Sequence, residues 1–68
     1  MMAFHQYCRV KLVTDKYINE GVRSGAIGYI IEVYGKESLE YEVEFSNSST
    51  GETIAQVVVT EEDIEIAE

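Results

Sequence analysis

From Glu40 to Phe45 the chain reads Glu-Tyr-Glu-Val-Glu-Phe, acid and apolar residue in strict alternation. Successive side chains of a β-strand point to opposite faces, so this segment predicts a strand with Tyr41, Val43 and Phe45 against a core. Glu40, Glu42 and Glu44 then form a row of carboxylates on the other face. A one-residue slip in register would bury all three acids, so one core-facing arrangement is strongly favoured.

Four further runs rich in β-branched and aromatic residues surround it: Tyr7 to Val13, Ile27 to Tyr34, Thr53 to Val59 and a very short one from Ile64 to Ala67. Proline is absent, the five glycines are spread over turns, and no segment repeats, so the pattern is a meander of short strands without linkers. In the first run Cys8, Val10 and Leu12 share the core side. The polar stretch Thr14 to Gly25 is long for a hairpin, and Tyr17, Ile18 and Val22 are expected to fold back from it over the core. The second run is apolar on both sides apart from Glu32, which marks it as the central strand but leaves two facings open. With Ile31 and Val33 inward, Ile30 and Tyr34 flank Glu32 on the outside; the inverse facing is equally compatible with the residues. Gly28 within it points to a bulge, a sharp bend or a close backbone approach. Turns are expected at Gly35 to Ser38 and Ser46 to Gly51. Thr60-Glu61-Glu62-Asp63 has the spacing of a capping box, with Asp63 reaching back to Thr60, and predicts one short helical turn before the last strand.

Sixty-eight residues make one domain, near the lower limit at which an apolar core alone holds a chain folded. The whole of 1–68 is expected to be that domain, with residues 1 to 5 a flexible N-terminus. A hydrophobic fraction of 46% with substantial β-branched content argues against intrinsic disorder. The single cysteine, Cys8, forms no internal disulfide, which fits a reducing, cytoplasmic setting. No export signal is read at the start, and no apolar run approaches the roughly 18 residues that a spanning helix needs. A monomer or small homo-oligomer without membrane contact is expected.

The string Gly25-Ala26-Ile27-Gly28-Tyr29-Ile30-Ile31-Glu32-Val33-Tyr34, followed by Tyr41-Glu42-Val43-Glu44-Phe45 and by Val57, Val59 and Ile64, resembles a family of short bacterial SH3-like proteins of unknown function. It is similar, more widely, to the SH3-like barrels that include KOW domains and the barrel of the nitrile hydratase β chain. The resemblance covers roughly residues 7 to 66 and implies an all-β, five-stranded SH3-like barrel with a long first loop. It implies no particular activity. RNA-binding members of the wider group are basic at their contacts, and this chain is not.

Charge sets the functional expectation. Residues 1 to 36 hold five basic groups against three acids, whereas residues 37 to 68 hold ten acids and no base, for a net charge of −8. Nucleic acid would be repelled and a basic protein attracted. His5 and Cys8 have the spacing of half a zinc site but lack a second pair, so no metal or other cofactor is expected. Cys8 lies on the inward side of its strand, which does not suit a nucleophile. The carboxylates offer neither a cleft for paired-acid hydrolysis nor an Asp-x-Asp-x-Asp-Gly calcium loop, so no enzyme is expected. Two readings of the acidic row remain: it solvates the outer face of a sheet and blocks edge pairing, or it docks a basic partner. The second leads to a non-catalytic acidic protein-binding module that neutralises a basic protein, as an immunity protein, antitoxin or small inhibitor does. Its expected contact residues are Ile30, Glu32, Tyr34, Glu40, Glu42 and Glu44, with Tyr7 or Tyr17 as further anchors. The alternative is an accessory subunit or docking module of a larger enzyme or complex.

Overall fold

A computed structural model describes residues 4–47 and 49–67. It is all-β: strands β1 (Arg9–Leu12), β2 (Ile27–Tyr34), β3 (Glu40–Ser46), β4 (Thr53–Thr60) and β5 (Ile64–Ile66) form one antiparallel sheet in the order β4-β3-β2-β1-β5. Two 3-10 turns, Ile18–Glu20 and Glu61–Asp63, are the only helical pieces among the described residues. The sheet is not closed by hydrogen bonds: β4 and β5 are its two edges. No helix among the described residues is long and apolar enough to cross a membrane.

The alternation in β3 is realised as read, with Tyr41, Val43 and Phe45 fully buried and the intervening glutamates on the outer side. Every strand adds to the same core: Val10 and Leu12 from β1, Ile30 from β2, Val57 and Val59 from β4 and Ile64 from β5. Cys8 packs against it, half-buried. β1 starts later than the alternation suggests because Tyr7 takes a left-handed backbone (φ 72°) in a turn closed by the Cys8 N–H on the His5 carbonyl, 3.1 Å. The expected flexible N-terminus lies partly outside the described residues, at 1–3; Phe4 packs edge-on against Tyr41 with ring centroids 5.6 Å apart.

β2 resolves the facing that the sequence left open, and it corrects the placement of Ile30. Ile30 is wholly buried opposite Val43, so it belongs to the core and not to any outer surface. Ile31 is an extra residue between the pairs Ile30↔Val43 and Glu32↔Glu42, and this bulge returns Glu32 to the outer face without burying its charge. Gly28 supplies the close approach: a Cβ there would lie 2.5 Å from the Glu44 carbonyl oxygen and 2.9 Å from Val43 Cγ1.

The long first loop folds back as expected at Val22, which is buried, and at Tyr17, which packs on the core; Ile18 instead stands exposed. What holds the loop down is Asp63, 2% exposed at the end of the second 3-10 turn. Its Oδ2 accepts the Tyr17 hydroxyl at 2.6 Å and both the N–H and hydroxyl of Thr60 at 3.0 Å, and its Oδ1 pairs with Lys16 Nζ at 2.9 Å. The Thr60–Asp63 capping interaction is therefore present and extended by two partners from the loop. Burial alone would push the Asp63 carboxyl up, but the bonds from Tyr17, Thr60 and Lys16 outweigh it and hold the pKa at about 2.

Candidate functional site

The outer face of β2, β3 and β4 is where the expected contact residues meet. Paired residues of neighbouring strands share a face, so the register writes three rows across the sheet. They are Tyr34–Glu40–Thr60, Glu32–Glu42–Val58 and Tyr29–Glu44–Gln56. Glu32, Tyr34, Glu40, Glu42 and Glu44 are thus brought together; Ile30 is not. The row of glutamates runs down the middle, flanked on β2 by Tyr29 (48% exposed) and Tyr34 (42%) and on β4 by Val58 (46%).

Glu32 and Glu42 stand directly opposite each other, an arrangement that like charges disfavour. Three of the four carboxylates have neutral donors. The Tyr34 hydroxyl donates to Glu42 Oε1 at 2.5 Å, the Thr53 hydroxyl to Glu44 Oε2 at 2.6 Å, and Gln6 Nε2 to Glu32 Oε1 at 3.3 Å and to the Ile31 carbonyl at 2.9 Å. The bond to Glu42, more than burial, raises the Tyr34 phenol above its ordinary pKa. Beyond Tyr29 the same face continues to Arg9 on β1, so charge is graded along it from acidic to basic. The ion pairs Lys11–Glu65 (3.4 Å) and Lys16–Asp63 lie away from the glutamate row. Past its Glu40 end, an open depression between the β2–β3 turn and the second 3-10 turn gathers Glu37, Glu61 and Glu62 beside Glu40.

Tyr29, Val58 and Gln6 are parts of this face that the sequence did not single out. Tyr29 and Tyr34 are five residues apart, which strict alternation assigns to opposite faces; the bulge at Ile31 puts them on the same one. Tyr17 has its hydroxyl committed to Asp63, and Tyr7 stands exposed in the turn before β1. His5 and Cys8 gain no company: no group of three or more His, Cys, Asp or Glu among the described residues is placed to hold a metal ion.

No curated protein and no solved structure matches the chain significantly. A family model does, over residues 7–66, nearly the same span as β1 to β5 with their connections. The chain belongs to that family, the domain of unknown function DUF4926.

Proposed function

We propose that the chain is a non-catalytic, acidic protein-binding module that neutralises or inhibits a basic protein in the cytoplasm, in the manner of an immunity protein, antitoxin or small inhibitor. The observation that supports it is the outer face of β2–β3–β4, where four glutamates, two of them directly opposite each other, are framed by exposed Tyr29, Tyr34 and Val58. A merely soluble sheet needs no such opposed pair. Aromatic and apolar anchors beside dense charge are the composition of a docking surface, and the charge would accelerate encounter with a cationic partner. An SH3-like reading of the fold agrees with the strand order, the long loop before β2 and the 3-10 turn before β5.

A pull-down from the native host would identify the partner, and surface plasmon resonance would then test the reading. Combining Glu40→Lys, Glu42→Lys and Glu44→Lys should slow association by about tenfold or more with the fold intact, and wild-type binding should weaken as salt rises. A triple variant that associates as fast as wild type would reduce the acidic row to solvation.

The second reading, an accessory subunit of a larger complex, is favoured by the exposed apolar residues Tyr29, Ile54 and Val58. It gives a contact with little salt dependence that is lost on Tyr34→Ala or Val58→Ala.

A further inference from the structure

β4 is eight residues long, Thr-Ile-Ala-Gln-Val-Val-Val-Thr, and contains no charged residue, although 26% of the whole chain is charged. It is an edge strand. Edges of this length are usually protected by lysine, proline, inward charge or bulges, because their outward N–H and C=O groups template pairing with another chain. Here protection is confined to one end: the register shift between Phe45↔Ala55 and Ser46↔Thr53 makes Ile54 a bulged residue, and Ala55 to Thr60 runs on unbroken. One strand inward stands the glutamate row. A strand added to β4 would lie two strand spacings, about 10 Å, from β3. An extended lysine on it and a glutamate leaning outward span that gap together, with exposed Val58 as an apolar floor for the lysine stem.

We propose that β4 takes an extended, basic segment of a partner protein as a sixth strand. This inference rests on the acidic face being a docking surface and names what docks there. The segment alternates basic and apolar residues. Its basic side chains fall on the outer face beside Gln56, Val58 and Thr60 and reach Glu42, Glu44 and Glu40, while its apolar ones continue the inner face beside Val57 and Val59. Backbone hydrogen bonds to the outward groups between Ala55 and Val59 give the register, the Thr60 N–H being taken by Asp63, and the glutamates select the charge. A second copy of the chain is disfavoured as the occupant, since it would bring another net charge of −8 to the same edge.

The probe is a capped synthetic peptide alternating lysine with valine, titrated into isotope-labelled wild-type protein and followed by NMR and amide hydrogen exchange. Two companion peptides are needed: one N-methylated on the amides of a single edge, which keeps charge and side chains but cannot pair, and one with glutamate for lysine. The parent peptide should bind and slow exchange at alternate amides between Ala55 and Val59. Methylation should weaken it about tenfold or more, because several hydrogen bonds are lost, and the glutamate version should not bind. Equal binding of the parent and methylated peptides, with β4 amides unaffected, overturns strand addition but leaves the acidic face as a docking surface. Equal binding of the lysine and glutamate peptides overturns the basic partner together with the acidic face. Failure of every peptide to bind, or protection of the same amides by self-association of the free chain, overturns the proposed occupant; the charge-reversal experiment then judges the face by itself.

Discussion

Replacing Asp63 by asparagine should destabilise the protein at neutral pH by about 2 kcal/mol. The carboxylate accepts three hydrogen bonds from Tyr17 and Thr60 and pairs with Lys16, all while nearly excluded from water. Its folded pKa of about 2, against an ordinary 3.8, corresponds to about 2–3 kcal/mol. Lys16 is half-exposed, so solvent screens part of that pairing and about 2 kcal/mol is the better figure. Asparagine can set its one oxygen where Oδ2 takes the three donors, but without charge, and it turns an amide NH2 towards the Lys16 ammonium, which gives a loss of the same order. Because the folded pKa is depressed, the contribution is complete above the unfolded value near 4 and disappears as pH falls through 2.

Urea unfolding from pH 7 down to pH 2 measures this only as a difference between wild type and Asp63→Asn. The chain carries thirteen acids, and protonating them relieves repulsion, which stabilises the wild type over the same range and partly masks the loss. The gap between the two proteins should therefore be widest above pH 5 and narrow towards pH 2. Two curves that run parallel across the whole range would refute the assignment of Asp63 as the charged tie between the first loop and the last strand.

Four other substitutions test the fold. Val43→Asp should unfold the chain or cost more than about 4 kcal/mol in urea melts, since Val43 is fully buried, whereas Glu42→Ala should cost little; equal stability of both would contradict the register. Gly28→Ala should destabilise by about 2–3 kcal/mol because its Cβ meets the Glu44 carbonyl and Val43, and an unchanged thermal midpoint would contradict that approach. Tyr7→Gly should be neutral or stabilising by up to about 1 kcal/mol, because Tyr7 has a left-handed backbone and an exposed side chain, and a clear loss of stability would give Tyr7 a packing role the structure does not assign it.

Strand positions were legible wherever one face of a strand was apolar and the other charged. β3 is the clearest case: burying any of its glutamates is costly enough to fix the alternation. The Thr60–Asp63 turn was legible from its spacing, but not the engagement of Asp63 by Tyr17 and Lys16, because no local pattern encodes a contact across 46 positions. β2 was ambiguous because apolar residues on both sides make its two facings nearly equal in transfer energy. Its facing goes with Gly28, which lets β2 approach Glu44, and with the bulge at Ile31. Ile30 lies in the core and Tyr29 on the outer face for that one reason. The acidic row was found in full because it lies on the strand whose pattern is strictest.

The same bulge bears on what the outer face can do. A regular β2 with Ile30 in the core would turn Glu32 inward and leave Tyr29 and Tyr34 on opposite sides. With Ile31 inserted, the sheet instead presents two tyrosines and a fourth glutamate on one face, and Glu32 comes to stand against Glu42. Opposed like charges oppose folding by a few tenths of a kcal/mol to about 1 kcal/mol, and the hydrogen bonds from Gln6, Tyr34 and Thr53 offset part of that without neutralising any carboxylate. Donors of this kind are neutral and leave the carboxylate charge available. A cationic side chain arriving over Val58 or Tyr34 would meet Glu42 and Glu44 already engaged by the Tyr34 and Thr53 hydroxyls, which lowers the ordering entropy that opposes the contact. Dense negative charge beside a strand edge protected only at its Ile54 end is the combination that a strand-forming basic segment can use and that solvation alone does not require.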